Sequence, residues 1–310
     1  MATTKKGKTA LMGFDAGMGA IKLYGEHGGL QFQSQVAHNG TQKVAAVMGL
    51  ARQLAPLHVE SAQGSFYVGP DAHSWGRAVE NLNYERLTGA PEMYALLFGS
   101  LTRYAQQHGS FDRPLSIVVG MPQEPITGPD AQDNINAVKK WMTGTHQWQA
   151  DGEEHKVEIA DVKVTSQPVG ALFDYLLTED GHFISNRKAA FKSEVGIISI
   201  GFNTIELLVV QDRKIVQKFA ADTLLRSKSL DIKTALPIWE SEVSGVIGQH
   251  WGTTWKRFNK ILLVGGGAAL LKNTLPYKFN GKAFVPDNPV SSISRGLYKL
   301  RVQAENRKRK

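Results

Sequence analysis

The sequence predicts an α/β protein built from two duplicated lobes. Its 310 residues exceed the size at which a single hydrophobic core usually stops growing. Two segments, 11–24 and 195–210, each read as an apolar strand, a glycine turn and a second strand, and their positions differ by a constant 184 residues. A third segment, 260–271, is an apolar strand that leads into glycines and the start of a helix. We therefore expect one hairpin in each lobe.

Composition limits the class of protein. Hydrophobic residues make up 42% of the chain and charged residues 21%, and there is no cysteine. No apolar run reaches the roughly 18 residues that cross a bilayer, and the first ten residues lack the apolar centre of a secretory signal. We expect a soluble, cytoplasmic protein without disulfides or membrane contact.

The net charge of +8 is partly a property of the two ends of the chain. Lys5, Lys6 and Lys8 stand near the start, and residues 307–310 are all basic. Such tails are usually solvated, so direct contact with nucleic acid is not expected. An interaction with nucleic acid or an acidic partner is the alternative.

The first hairpin has the features of a phosphate-binding turn. Gly17 and Gly19 allow the backbone to turn with its N–H groups facing an anion. Asp15, at the end of the first strand, can reach a divalent cation or its water shell, and Lys22 can return a positive charge to the turn. An ordinary hairpin with an exposed turn is the alternative.

The pattern between the two hairpins predicts a small insert, a helix, a buried strand and a junction between the lobes. The insert covers about 30–80 and contains a strand pair near Val59 to Val68. The predicted elements that follow are a helix over 91–107, a strand over 115–122, a turn or hairpin over 141–154, a strand over 156–165 and a helix from 166. In that last helix Pro168 falls in the first turn, which predicts Ser166 as its cap and leaves Gln167 as a weaker cap.

The second hairpin aligns with the first residue by residue. Ser199 aligns with Asp15, Gly201 with Gly17, and Glu206 with Lys22. This predicts an internal duplication, in which hairpins from the two lobes clamp a polyphosphate in the cleft between them. Chance similarity between two buried hairpins is the alternative.

The glycine run Gly265 to Gly267 follows an apolar strand. Its backbone can approach a flat ring or a phosphate, and the helix start that follows favours negative charge. The run lacks the Gly-x-Gly-x-x-Gly spacing, so it is not a dinucleotide-binding fingerprint.

The strings DAGMGAIK, SIGFNTIE and LLVGGGAAL, in this order, resemble the phosphate-one, phosphate-two and adenosine motifs of the actin and sugar-kinase ATPase superfamily. Within it the chain is most similar to the short bacterial and archaeal actin-like proteins of the ParM type. FYVGPDA, IVVGMP, SQPVGALFDYL and PVSSISRGLYKL support this at four further places, so the resemblance covers nearly the whole chain. It implies the actin-like ATPase fold, with two duplicated lobes around a nucleotide cleft.

The resemblance also implies roles for individual residues. Asp15 would hold the Mg²⁺ shell, and Gln167 would orient the attacking water, so these two are the expected catalytic residues. The nucleotide, ATP or GTP, would be bound by Asp15, Gly17, Met18, Gly19, Lys22, Ser199, Gly201, Phe202, Asn203, Thr204, Gly265, Gly266 and Gly267. The residues that cover the purine are placed only loosely, between Arg226 and Glu242.

The resemblance further implies an ATPase that forms filaments of its own copies and segregates DNA or plasmids, with a DNA-binding adaptor protein as a further partner. Lobe I is expected to contain residues 1–165 plus 286–310, with lobe II at 166–285. Ser199 departs from the family, which normally has a second aspartate there, so hydrolysis is expected to be slow. A nucleotide-binding scaffold that does not turn over is one alternative, and a small-molecule kinase of the same fold is another.

Overall fold

The computed structural model describes residues 9–39, 55–79, 84–201, 204–212, 214–222 and 232–308. The chain divides into two compact units, Met1–Ser166 and Gln167–Lys310. Within the described ranges, no helix is long and apolar enough to span a membrane.

In its described ranges, the first unit contains one ten-stranded sheet and two α-helices. Its strands are β1 Ala10–Ala16, β2 Ala20–Gly25, β3 Gly28–Gln33, β4 Val36–Asn39, β5 Leu57–Ser61, β6 Gly64–Val68, β7 Gly76–Ala78, β8 Leu115–Met121, β9 Gly144–Ala150 and β10 Glu153–Ser166. They follow the order β3-β2-β1-β8-β10-β9-β5-β6-β4-β7. The helices are α1 Pro91–His108 and α2 Ala131–Met142. The predicted insert is therefore an extension of the main sheet, made by β4 to β7.

Helix α1 confirms the prediction for 91–107. Pro91 occupies its first turn, and the chain leaves the helix at Gly109 with φ 97°, a value that favours glycine. Leu97, Leu101 and Tyr104 recur at helical spacing and are buried in one core cluster with the strands of the sheet. The predicted hairpin over 141–154 is also present, because β9 and β10 pair across a turn at Asp151-Gly152.

The second unit contains a five-stranded sheet and four α-helices in its described part. The strands are β11 Val195–Ile200, β12 Thr204–Gln211, β13 Lys214–Asp222, β14 Lys260–Val264 and β15 Ala283–Phe284, in the order β13-β12-β11-β14-β15. The helices are α3 Gln167–Leu176, α4 Ile232–Trp251, α5 Gly266–Leu270 and α6 Ser292–Lys308. Strand β13 stands at one edge of this order and exposes Ile215 and Val216.

The two sheets share a five-strand plan, which confirms the duplication. The order β3-β2-β1-β8-β10 in the first unit has the same pairing directions as β13-β12-β11-β14-β15 in the second: antiparallel, antiparallel, parallel, parallel. The hairpins also share one register. Asp15 pairs with Lys22 across β1 and β2, and Ser199 pairs with Glu206 across β11 and β12, each partner displaced by the same 184 residues.

Helices α3 and α6 pack against each other with their backbones in direct contact. A Cβ on Gly296 would collide with the carbonyl oxygen of Gly170, and a Cβ on Gly170 would collide with that of Ile293. This packing brings α6 into the second unit. The sequence predicted this helix, and its assignment of residues 286–310 to lobe I stays a prediction.

Candidate functional site

The hairpin β1–β2 buries an ion pair at its turn. Asp15 is 2% exposed, and its carboxylate lies 3.2 Å from the Lys22 ammonium. The pair arises because the two residues stand directly opposite in the antiparallel register, which puts their side chains on one face. The structure thus brings together the acid and the base that the sequence predicted for this turn.

The turn between the strands is held by Ser34, which the sequence analysis missed. The Ser34 hydroxyl donates to the carbonyl of Gly17 at 2.9 Å, and the Ser34 N–H donates to the carbonyl of Gly19 at 3.1 Å. Both carbonyls are occupied, so the conformation of residues 17–19 is fixed. Ser34 lies in a short polar link between β3 and β4, and no sequence motif marks it.

Gly17 is required by close contacts. A Cβ at this position would collide with the carbonyl oxygen of Ala20 and lie 2.7 Å from the Lys22 Nζ atom. A Cβ on Gly201, its counterpart in the second hairpin, would lie 3.3 Å from the carbonyl oxygen of Thr204. The first turn is therefore the tighter of the two.

Gly17→Ala is expected to be more damaging than Gly201→Ala, because the first substitution must displace backbone as well as the Lys22 side chain. We expect a clearly lower melting temperature for Gly17→Ala and a smaller decrease for Gly201→Ala. Differential scanning fluorimetry of both variants without nucleotide measures this. Equal decreases would show that the two turns tolerate a Cβ equally.

The hairpin β11–β12 reproduces the geometry with different chemistry. Ser199 and Glu206 are both buried and face each other across the strands, so the acid stands on the second strand instead of the first. The turn closes with a hydrogen bond from the Gly201 N–H to the Thr204 carbonyl, 2.8 Å long. Phe202 and Asn203 lie outside the described residues.

Close packing within the second unit requires two of the three glycines in the run after β14. A Cβ on Gly265, whose φ is 93°, would collide with the carbonyl oxygen of Ile200. A Cβ on Gly267 would collide with the side chains of Ile200 and Trp239. Gly266 is exposed with open space where its Cβ would be. Packing of this turn against β11 thus requires two glycines, and the predicted adenosine contact stays a prediction.

Helix α3 begins at Gln167, which is buried at the junction after β10. The expectation that Ser166 caps this helix is wrong. The Ser166 hydroxyl is buried and makes no hydrogen bond among the described residues. Ser166 is instead the last residue of β10, which runs directly into the helix, and Pro168 in the first turn removes one of the N–H groups that a cap would satisfy.

Asp174 fixes α3 to α6. Its carboxylate, buried in the packing between the helices, accepts hydrogen bonds from the Ser292 hydroxyl at 2.6 Å, from Arg295 through two nitrogens at 2.6 Å each, and from Lys299 at 2.9 Å. Burial alone would raise the pKa of Asp174, but the hydrogen bond from Arg295 and the charges of Lys299 and Arg295 outweigh it and hold this pKa below its ordinary value. The carboxylate is therefore a strong anchor for the helix that begins at Gln167.

Two polar atoms of helix α4 are buried without a hydrogen-bond partner among the described residues. They are the indole N–H of Trp239 and one carboxylate oxygen of Glu242, both on α4. Trp239 packs beside Gly267. A donor and an acceptor without partners on one helix suit a ligand that offers both kinds of group. Glu242 lies at the end of the range in which the sequence loosely placed the purine-covering residues.

Comparisons with solved structures identify the fold. The apo psk41 ParM protein superposes with a TM-score of 0.76 at 18% identity, covering 97% of this chain and 99% of that one. Actin-like protein Alp7A gives 0.71 at 12% identity, with 97% and 98% covered. The archaeal actin homologue Ta0583 gives 0.67 at 15% identity, with 96% and 100% covered. At these identities the likeness establishes the fold and not the activity.

Comparison with protein families gives the second line of evidence, although no match to the chain was found among curated proteins. The model described as "Actin like proteins N terminal domain" matches residues 13–170, about half of the chain. The matched segment contains the first hairpin, strand β8 and the junction at Gln167. The chain therefore belongs to the actin-like proteins, as its three motifs and their order predicted.

Proposed function

We propose that this protein is a nucleotide-dependent, filament-forming actin-like ATPase. The observation that carries the proposal is the shared register of the two hairpins, the first of which buries the Asp15–Lys22 pair beside its turn. A buried carboxylate paired with a lysine next to glycine backbone supplies the charges that a magnesium–phosphate group needs.

The proposed ligand is ATP or GTP with Mg²⁺. Lys22 and the backbone of Gly17 to Gly19 would contact the phosphates, and Gly201 and Thr204 would do so in the second hairpin. The unpartnered polar atoms of Trp239 and Glu242 fit a nucleoside, which offers acceptors on its base and hydroxyl donors on its ribose.

Asp15 would hold the metal through its water shell. Among the described residues, no three His, Asp or Glu side chains form a group that could hold a metal ion. Mg²⁺ usually keeps several waters and takes further ligands from substrate phosphates, so a site with one carboxylate suits it. The bound ion would neutralise charge on the phosphates and leave Lys22 to contact them directly.

Gln167 would orient the water that attacks the terminal phosphate. Phosphoryl transfer requires in-line positioning and charge stabilisation more than covalent help from the protein. A glutamine amide can hold a water by donating one hydrogen bond and accepting another, although it is a poor base. The Asp174 anchor would keep α3, and with it Gln167, in place.

Self-assembly is proposed because several structures with this fold are filaments. Similar structures include a 15-stranded ParM filament from Clostridium botulinum and the AlfA filament from B. subtilis plasmid pLS32. By analogy the partner of this chain would be its own copies in the cytoplasm, with a DNA-binding adaptor linking the filament to a plasmid or other DNA cargo.

A scaffold that binds nucleotide without turning it over is the second candidate, and Ser199 favours it. The family's second aspartate is absent there, and the nearest acid in the hairpin is Glu206, on the facing strand. A small-molecule kinase would need a carboxylate base beside a substrate pocket, and no observation in the described part of the chain favours one.

The test of the proposal combines sedimentation with phosphate release. With ATP and Mg²⁺ we expect light scattering to rise above a critical protein concentration, and inorganic phosphate to appear as polymer forms. Electron microscopy of the same sample identifies filaments. Polymer without phosphate release would favour the scaffold, and a protein that stays monomeric in analytical centrifugation at every salt and nucleotide condition would refute self-assembly.

Restoring the missing aspartate tests the metal geometry. Ser199→Asp places a carboxylate directly opposite the buried Glu206, and this like-charge pair is expected to lower stability in the absence of Mg²⁺. Ser199→Asp combined with Glu206→Gln removes the repulsion. We expect that double variant to release phosphate faster than the parent, and Glu206→Gln alone is its control. A double variant that binds nucleotide poorly would show that no metal stands between residue 199 and the phosphates.

A further inference from the structure

Three parallel strands of the first unit end side by side. Strand β8 lies between β1 and β10, with Gly120 opposite Asp15 and Met121 opposite Ser166. The carboxyl ends of parallel strands are the usual place for ligands in α/β sheets. Gln123 stands two residues beyond the end of β8, at this same edge.

The Gln123 carbonyl accepts hydrogen bonds from the turn that follows it, whereas its side-chain amide has no partner among the described residues. Its carbonyl accepts hydrogen bonds from the Thr127 hydroxyl at 2.8 Å and from the Ile126 N–H at 3.3 Å. The residue is 6% exposed, yet neither the nitrogen nor the oxygen of its side-chain amide has a hydrogen-bond partner in the described chain. The neighbouring strand end at Ser166 adds a third buried polar atom in the same situation.

Leaving such atoms unsatisfied is costly. A buried polar group without a partner costs about 1–3 kcal/mol, and a native protein retains few of them. The amide of Gln123 presents a donor and an acceptor together. A phosphate oxygen would satisfy only the donor, whereas one water molecule can accept from the nitrogen and donate to the oxygen. The chemistry of the site therefore favours water.

We propose that Gln123 binds the water that attacks the terminal phosphate of the nucleotide. This inference rests on the proposed function and adds a residue to it. The water oxygen forms a bond to the terminal phosphorus, and the bond from that phosphorus to the bridging oxygen breaks with its electron pair remaining on the nucleoside diphosphate. One water proton passes to the phosphate product, because neither amide is a base. Gln167, the residue after Ser166, would orient the same water.

Gln123→Met tests the inference, since methionine has a similar size and no amide. We expect the nucleotide-free melting temperature to be equal to or above that of the parent, because two unsatisfied polar atoms are removed. Nucleotide affinity by calorimetry should stay within about twofold, while single-turnover phosphate release falls by about tenfold or more. Gln107→Met, on the exposed end of α1, is the matched control and should leave all three quantities unchanged.

A second variant keeps the test decisive. Gln123→Glu retains the size and the acceptor oxygens but loses the donor, so phosphate release should fall less than in Gln123→Met. Three results would overturn the inference: an unchanged rate in Gln123→Met, a lower melting temperature, or equal losses in the two variants. A parent that binds nucleotide but releases no phosphate would overturn the ATPase proposal and this inference together. If the parent protein and Gln123→Met release phosphate at the same rate, the inference about Gln123 would be overturned and the ATPase proposal would stand.

Discussion

Asp174→Ala is expected to lower the free energy of unfolding by about 3–5 kcal/mol, the usual result of removing one partner from a buried ion pair. The carboxylate holds Arg295 and Lys299 together in the packing of α3 against α6. Without it the two cations lose the buried carboxylate that they share. Chemical denaturation followed by far-ultraviolet circular dichroism measures the loss.

Glu179→Ala is the matched control. Glu179 also approaches Lys299, at 3.5 Å, but its side chain is 54% exposed, so its removal should change stability by less than about 1 kcal/mol. Similar losses in the two variants would contradict the assignment of Asp174 as the anchor.

The contribution of Asp174 is also expected to depend on pH. Its folded-state pKa lies below the ordinary 3.8, so the carboxylate stabilises the fold above that value and loses its effect as pH falls through the folded-state pKa. The stability difference between the parent and Asp174→Asn should therefore be largest near neutral pH and shrink below pH 3.8. A difference that grows on acidification would contradict the ion-pair explanation.

Asp15→Ala is expected to abolish measurable turnover and weaken nucleotide binding together, because it removes the proposed metal-shell carboxylate and frees Lys22 from its partner. Gln167→Ala should behave differently: phosphate release falls while affinity stays nearly intact, the pattern of an interaction made mainly in the transition state. Calorimetry and phosphate release on both variants measure this contrast.

Asp112→Ala is the control for Asp15→Ala, since its side chain is 79% exposed and lies outside the proposed site. Asp15→Asn separates charge from shape. An Asp15→Ala protein that still hydrolyses ATP at the parental rate would remove Asp15 from the metal site, whatever the hairpin contributes to the fold.

The sequence predicted the parts of the fold that repeat or that bury one face. The hairpins were visible because glycine turns between apolar strands stand out, and their constant offset anticipated a common register. Helix α1 was visible because its apolar residues follow the helical period. Asp15 and Lys22 could be paired in advance because both flank the turn of one short hairpin.

Other features could not be read from the sequence, for physical reasons. Helix α2 buries only Val138, Trp141 and Met142, too few for a recognisable period. The role of Ser34 depends on how β3 returns to the turn, and the burial of Gln123 depends on the chain after β8. The packing of α6 on α3 could not be predicted because backbone contact at Gly170 and Gly296 is a long-range property with no local signature.

The exposed edge of β13 affects how an assembly experiment must be interpreted. Among the described residues no strand pairs with the outer edge of β13. Such an edge, with Ile215 and Val216 exposed, can join another sheet edge without nucleotide, and Lys214 and Lys218 are the kind of edge charges that oppose such joining. High salt screens those charges. A pellet whose amount increases with salt and does not depend on ATP would therefore indicate amorphous aggregation through this edge. Only sediment that dissolves when nucleotide is exhausted would count as a reversible polymer.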